Sequence, residues 1–91
     1  MIDPKPGQIF RDIESETARY KIEDIIREFD SPSKKIVILK QLYDSPQFPA
    51  SSLWTISYEE FTKKIIVKED MQIDEQWYKK GQEISRFMLM L

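Results

Sequence analysis

The sequence predicts an all-α fold, a compact bundle of four or five short helices, and three observations carry that prediction. Apolar residues recur at helical spacing toward both ends of the chain. Ser57-Tyr58-Glu59-Glu60 spells an N-terminal capping box, and Asp30-Ser31-Pro32 and Asp44-Ser45-Pro46 break the chain where short connections are needed. Ninety-one residues suit a single domain over 1–91, and the 41% apolar content is enough to build its core.

Residues 1–8 hold Pro4, Pro6 and Gly7 and are expected to form an extended lead-in. From Gln8 to Phe29 the spacing is helical, but the apolar stripe changes face. At about 100° per residue, Ile9, Phe10, Ile13 and Tyr20 fall on one side, while Ala18, Ile22, Ile25, Ile26 and Phe29 fall roughly opposite. Either the helix breaks near Ser15–Thr17, where a hydroxyl can cap a second one, or a single helix is contacted on both sides. Ser31 then suits an N-cap and Pro32 a first helical position.

The run Ile36-Val37-Ile38-Leu39, followed by Leu42 and Tyr43, is apolar nearly all round and should be the central buried element. Its β-branched content leaves an α+β alternative, with short strands near 36–39 and 65–68. The stretch to Ser57 is irregular yet carries Phe48, Leu53, Trp54 and Ile56. The capping box starts a helix running to about Val67, and Asp74 caps a last helix with Trp77, Gly81, Ile84, Met88 and Leu91 on one stripe. A glycine within a helix costs about 1 kcal/mol relative to alanine, so Gly81 suggests close approach of another helix.

Most catalytic chemistries lack their residues. There is no histidine and no cysteine, which removes the commonest general base, the thiol nucleophile, disulfides and nearly all zinc chemistry. None of the eight serines lies in a GxSxG or SxxK frame. Two glycines cannot make a phosphate-binding loop. The carboxylate pairs Glu14/Glu16, Glu59/Glu60, Glu69/Asp70 and Asp74/Glu75 read as solvated helix starts. Asp70 and Asp74 lack the partners of a calcium loop. The expectation is therefore a non-enzyme with no cofactor, no metal and no small-molecule substrate.

Formal net charge is −2, with eight acids against five bases in residues 1–30 and eight against nine in residues 31–91. Such a balance disfavours nucleic acid as a partner. One DNA-binding reading stays open, a helix-turn-helix-like segment at 33–66 containing the basic pairs Lys34/Lys35 and Lys63/Lys64. Against it, Glu59 and Glu60 would meet phosphates, and its second helix has no Arg, Asn or Gln to read bases. No run of about 20 apolar residues appears, and no basic stretch precedes an apolar one near the N-terminus. Neither a membrane span nor a signal peptide is expected, and the default compartment is the cytoplasm.

The favoured function is a small acidic protein–protein interaction module, an adaptor, inhibitor or regulatory subunit that binds another protein or its own copy as a homodimer. Apolar side chains exceed what short helices can hide. The expected partner-binding residues are Trp54 in its linker, Ile9 and Ile13 on the first apolar face, and Phe87, Met88, Met90 and Leu91 in the wholly apolar C-terminus.

Overall fold

Residues 19–28, with three isoleucines, and 31–41, with the run Ile36-Val37-Ile38, pair as one long antiparallel hairpin that sets the architecture in the computed structural model of this chain. The structure describes residues 3–90. In chain order the elements are β1 (Ile9–Asp12), β2 (Arg19–Glu28), β3 (Ser31–Gln41), β4 (Leu53–Ser57), α1 (Tyr58–Thr62), β5 (Lys64–Ile66), β6 (Met71–Ile73), β7 (Gln76–Tyr78), β8 (Glu83–Ser85) and β9 (Phe87–Met90). The main sheet runs β4-β3-β2-β1-β9, antiparallel throughout, with two-stranded ribbons β5-β8 and β6-β7 beside it.

The all-α bundle is therefore overturned: strand accounts for 52% of the structure and helix for 6%. The α+β alternative fits only in part. Its strand at 36–39 falls within β3 and its strand at 65–68 overlaps β5 only at Ile65 and Ile66, while the helices it needs are absent among the described residues apart from the five residues of α1. The expected helix over 8–29 is the two strands β1 and β2, and the expected last helix is β7, β8 and β9. Gly81 does not face a neighbouring helix. It has φ +88° in the turn before β8, a left-handed conformation in which glycine has no Cβ penalty.

Helical spacing in β2 comes from a bulge. Ile22 pairs with Leu39, Asp24 with Ile38 and Ile25 with Val37, so one extra residue sits between Ile22 and Asp24. That residue resets the two-residue alternation and lets Ile22 and Ile25, three apart as on a helix, face the same side.

One face of the sheet supplies the core. Phe10, Ile22, Val37, Leu39 and Phe87 are buried there and packed by Phe61 of α1. Phe61 meets Phe10 edge-on at 5.0 Å and stacks on Phe87 at 4.8 Å, both within the favourable range for ring pairs. The predicted cap positions that helix: Ser57 Oγ accepts the Glu60 N–H at 3.1 Å. A single turn of helix is marginal alone, so Phe61 burial and the cap together hold it. The β6-β7 ribbon turns through Asp74 and Glu75, with φ 49° and 71°, and Asp74 Oδ1 accepts a bond from Arg11 Nη1 of β1 at 3.0 Å.

Burial predicts how substitutions divide. Ile22 is completely buried, so Ile22→Ala should cost about 2–5 kcal/mol and lower the urea midpoint accordingly. Ile66 is 62% exposed, and Ile66→Ala should stay within about 0.5 kcal/mol of the parent. Equal losses in urea titrations would contradict this core assignment.

Candidate functional site

The end of the sheet nearest the 42–52 loop is polar, and its buried Asp12 and Gln41 side chains are both partnered, while Arg11 Nε beside them is buried without a hydrogen bond among the described residues. Asp12 is buried on β1, and its carboxylate takes a two-pronged contact from Arg86, Nε to Oδ1 at 3.1 Å and Nη2 to Oδ2 at 2.9 Å. The Glu14 backbone N–H also donates to Asp12 Oδ1, and Glu14 Oε2 lies 3.4 Å from Arg86 Nε. The bonds to Asp12 raise the Arg86 guanidinium above its ordinary value, against the opposing effect of burial. This two-pronged, charge-assisted contact ties β1 to the residue between β8 and β9.

Beside that pair, Gln41 is buried on β3. Its Nε2 donates to the carbonyls of Tyr43 at 2.7 Å and Phe48 at 3.2 Å, and its Oε1 accepts from Trp54 Nε1 at 2.9 Å. One amide thus pins the 42–52 loop and β4 to the sheet. The Tyr20 and Tyr43 hydroxyls share a bond of 3.0 Å. Burial, then that bond, push the Tyr20 hydroxyl far above its ordinary range, with the Asp12 charge adding to both.

The opposite end is different. The β2-β3 hairpin extends past α1 and turns through Phe29 and Asp30, between the paired residues Glu28 and Ser31. Phe29 is 96% exposed. Between the projecting hairpin and α1 lies a notch of about 840 Å³. It is lined at the edge of the sheet by Ile36, Thr55, Ile56, Ser57 and Tyr58, with Lys34 and Lys35 on its hairpin side. Lys35 Nζ sits 5.0 Å from the centre of the Tyr58 ring. Among the described residues neither lysine has a carboxylate within 4.0 Å, although Glu28 and Glu59 also line the notch. The Tyr58 hydroxyl donates to Asp3 Oδ1 at 2.8 Å, and that bond raises it above its ordinary value.

The sequence-predicted residues scatter. Trp54 is 38% exposed on β4, held edge-on to Phe48 at 4.8 Å and tied to Gln41. Phe87 is core. Met88 is half-buried under the Tyr78 hydroxyl, and Ile13 is half-buried with its N–H bonded to the Arg86 carbonyl at 3.0 Å. Ile9 and Met90 pair across β1 and β9 and are both partly exposed. Leu91 lies outside the described residues. Phe87–Met90 form the fifth strand, so a truncation there removes part of the sheet and part of the core. Of the notch residues, Lys34 and Lys35 entered the sequence reading only as a basic cluster of the DNA-binding alternative, and Ile36 and Tyr58 were not singled out as a site. Ile36 read as core, and the lysines as a solvated face. The helix-turn-helix-like segment at 33–66 is in fact β3, a loop, β4, α1 and β5.

Among the described residues no group of three or more His, Cys, Asp or Glu could hold a metal ion, and no helix is long and apolar enough to cross a membrane. No family model, curated protein or solved structure matches this chain.

The Tyr20 shift has a consequence for stability. A hydroxyl held above about 10 keeps its proton in the folded state after the unfolded chain has lost it. The contribution is therefore complete below pH 10 and is lost as pH rises toward the folded-state value. The urea midpoint should fall between pH 9 and 12, marked as about that range by the unfolded tyrosine value, and should fall less steeply in Tyr20→Phe. Parallel slopes for the two proteins would contradict the assignment.

Proposed function

We propose that this chain is a non-enzymatic protein-interaction module, and that the notch between the β2-β3 hairpin and α1 receives an apolar side chain of a partner protein. The observation that carries the reading is the contrast between the two ends of the sheet. At one end the two buried polar residues are answered from within the fold, Asp12 by Arg86, and Gln41 by Tyr43, Phe48 and Trp54, and Arg11 Nε is the buried side-chain atom left without a partner among the described residues. At the other stand a notch lined by Ile56 and Tyr58, two lysines without ion pairs among the described residues, and a solvent-exposed phenylalanine. Interfaces combine such features: an apolar anchor site surrounded by polar groups that orient the partner.

The neighbouring edge of the sheet favours the same reading. β4 carries no charged residue and no proline along Leu53–Ser57, two devices that commonly block strand edges. The polar groups that could do chemistry are committed elsewhere, and the chain has no histidine or cysteine to replace them. A protein partner accounts for the exposed apolar surface without demanding a reactive group.

Thr55 is exposed, lines the notch and makes no side-chain hydrogen bond among the described residues, so Thr55→Arg fills the notch at little cost to the fold. Affinity capture from an extract of the source organism, quantified by mass spectrometry, is expected to enrich a protein on the parent chain at least tenfold over Thr55→Arg. Thermal melting of the two baits should coincide. Equal capture by two folded baits would remove the notch from the account.

A further inference from the structure

The face of the main sheet turned away from α1 carries a repeated pattern. Phe10, Tyr20, Leu39 and Trp54 belong to the α1 side, so the residues that alternate with them lie opposite. Two adjacent cross-strand rows result. One runs Met90–Ile9–Lys21–Lys40–Leu53 through all five strands. The next runs Met88–Arg11–Arg19 and ends on Leu42, whose N–H bonds to the Arg19 carbonyl at 2.9 Å. Each row holds two cations side by side, with apolar residues at both ends.

Like charges directly opposite one another on neighbouring strands repel, and these two pairs are answered only at their outer members. Asp74 reaches Arg11 at 3.0 Å, and Glu23 reaches Lys40 at 4.0 Å. Asp24, opposite Ile38 in the row beyond, accepts the Ile25 N–H at 2.8 Å. Arg19 turns to the carbonyls of Glu16 and Ala18, and neither it nor Lys21 has a carboxylate within 4.0 Å among the described residues. The unanswered positive charge therefore sits at the centre of the pattern. Around it Ile9, Met90, Leu42 and Leu53 are exposed large apolar side chains, Leu53 at 65%.

We propose that this face is a second binding surface, occupied by an acidic amphipathic helix of a partner protein that lies across the strands. Its carboxylates meet Arg19 and Lys21, and its apolar residues meet the two borders. The proposal does not rest on the notch. Charge complementarity selects an acidic centre for the occupant and orients its approach, while the apolar borders supply contact area. The length also fits. A row crossing five strands spans about 19 Å, the rise of about 13 helical residues. A helix laid on a sheet is one of the stable ways to cover an apolar face. Nucleic acid fits the same charge less well, because every aromatic residue of the five strands, Phe10, Tyr20, Trp54 and Phe87, lies on the other face, leaving none from these strands to stack a base.

The test is fluorescence anisotropy on the full chain at low salt. The probe is a labelled alanine-based helical peptide carrying glutamates on its middle turns and leucines on its outer turns, along one face. The parent should bind it saturably and should not bind the same peptide with lysine in place of glutamate. Lys21→Glu should weaken binding at least tenfold. It should also raise the urea midpoint, because the Lys21–Lys40 pair becomes one of opposite charge, and that rise separates a lost surface from a lost fold. Leu53→Ser should weaken binding with an unchanged melting curve. Absence of saturable binding by the parent, equal binding of the lysine peptide, or a Lys21→Glu chain that binds as the parent does would overturn the proposal. Displacement of the probe by an oligothymidylate of equal charge, at a lower concentration than the unlabelled peptide requires, would overturn the helix as occupant in favour of nucleic acid.

Discussion

The structure depends on one irregularity, the extra residue in β2 between Ile22 and Asp24. Ile22 is completely buried and Ile25 packs against the same cluster, yet strict strand alternation would send them to opposite faces. The bulge reconciles them. It allows cross-strand rows Tyr20–Gln41, Ile22–Leu39–Trp54 and Ile25–Val37–Ile56 to lie on one face, while Ile26 and Ile36 turn to the reverse. Bulges also increase local twist, and beyond this one the hairpin continues past the last β3–β4 pair, Ile36 with Ser57, to its turn at Phe29 and Asp30.

From this follows an uneven distribution of unmet interactions. The residues that look most chemical by type, the buried aspartate, the arginine beside it, the tyrosine pair and the buried glutamine, are bound to one another and to backbone carbonyls. They close the sheet and hold the 42–52 loop. Phe29 and the surface lysines Lys34 and Lys35, ordinary by type, have respectively no burial and no ion pair among the described residues. Burying polar groups unpaired is costly, and exposing a single large apolar group is cheap, so a fold can leave the second kind open for binding more readily than the first.

Part of this was legible in the sequence. Ser57 and Glu60 located the start of α1 because a capping box acts locally and survives any tertiary context. The β-branched run Ile36–Leu39 and the pair Ile65–Ile66 did announce strands, as the alternative reading had it. The helix over 8–29 failed for a definite reason: the bulge spaces Ile22 and Ile25 as a helix would, and Ala18 to Ile22 repeats the deception at four residues. The C-terminal stripe failed because Trp77, Gly81, Ile84 and Met88 fall in β7, a turn, β8 and β9, each too short to display a period of two. The site was less legible still. Phe29 appeared as one more apolar residue on a helical face, and nothing local distinguishes a hairpin tip from a helix end when the turn is Phe-Asp instead of Asn-Gly.

The central claim is that residues 19–28 form a bulged strand on β3, and backbone NMR tests it most directly. The hydrogen-bond alternation makes Ile22–Leu39 and Ile25–Val37 the close, non-hydrogen-bonded pairs. Strong contacts between their α-protons, with none linking Glu23 to β3 in the same manner, are the predicted result. Contacts running from each residue to the third and fourth along the chain over 19–28 would instead mark a helix, and would contradict the fold, the notch and the function built on it.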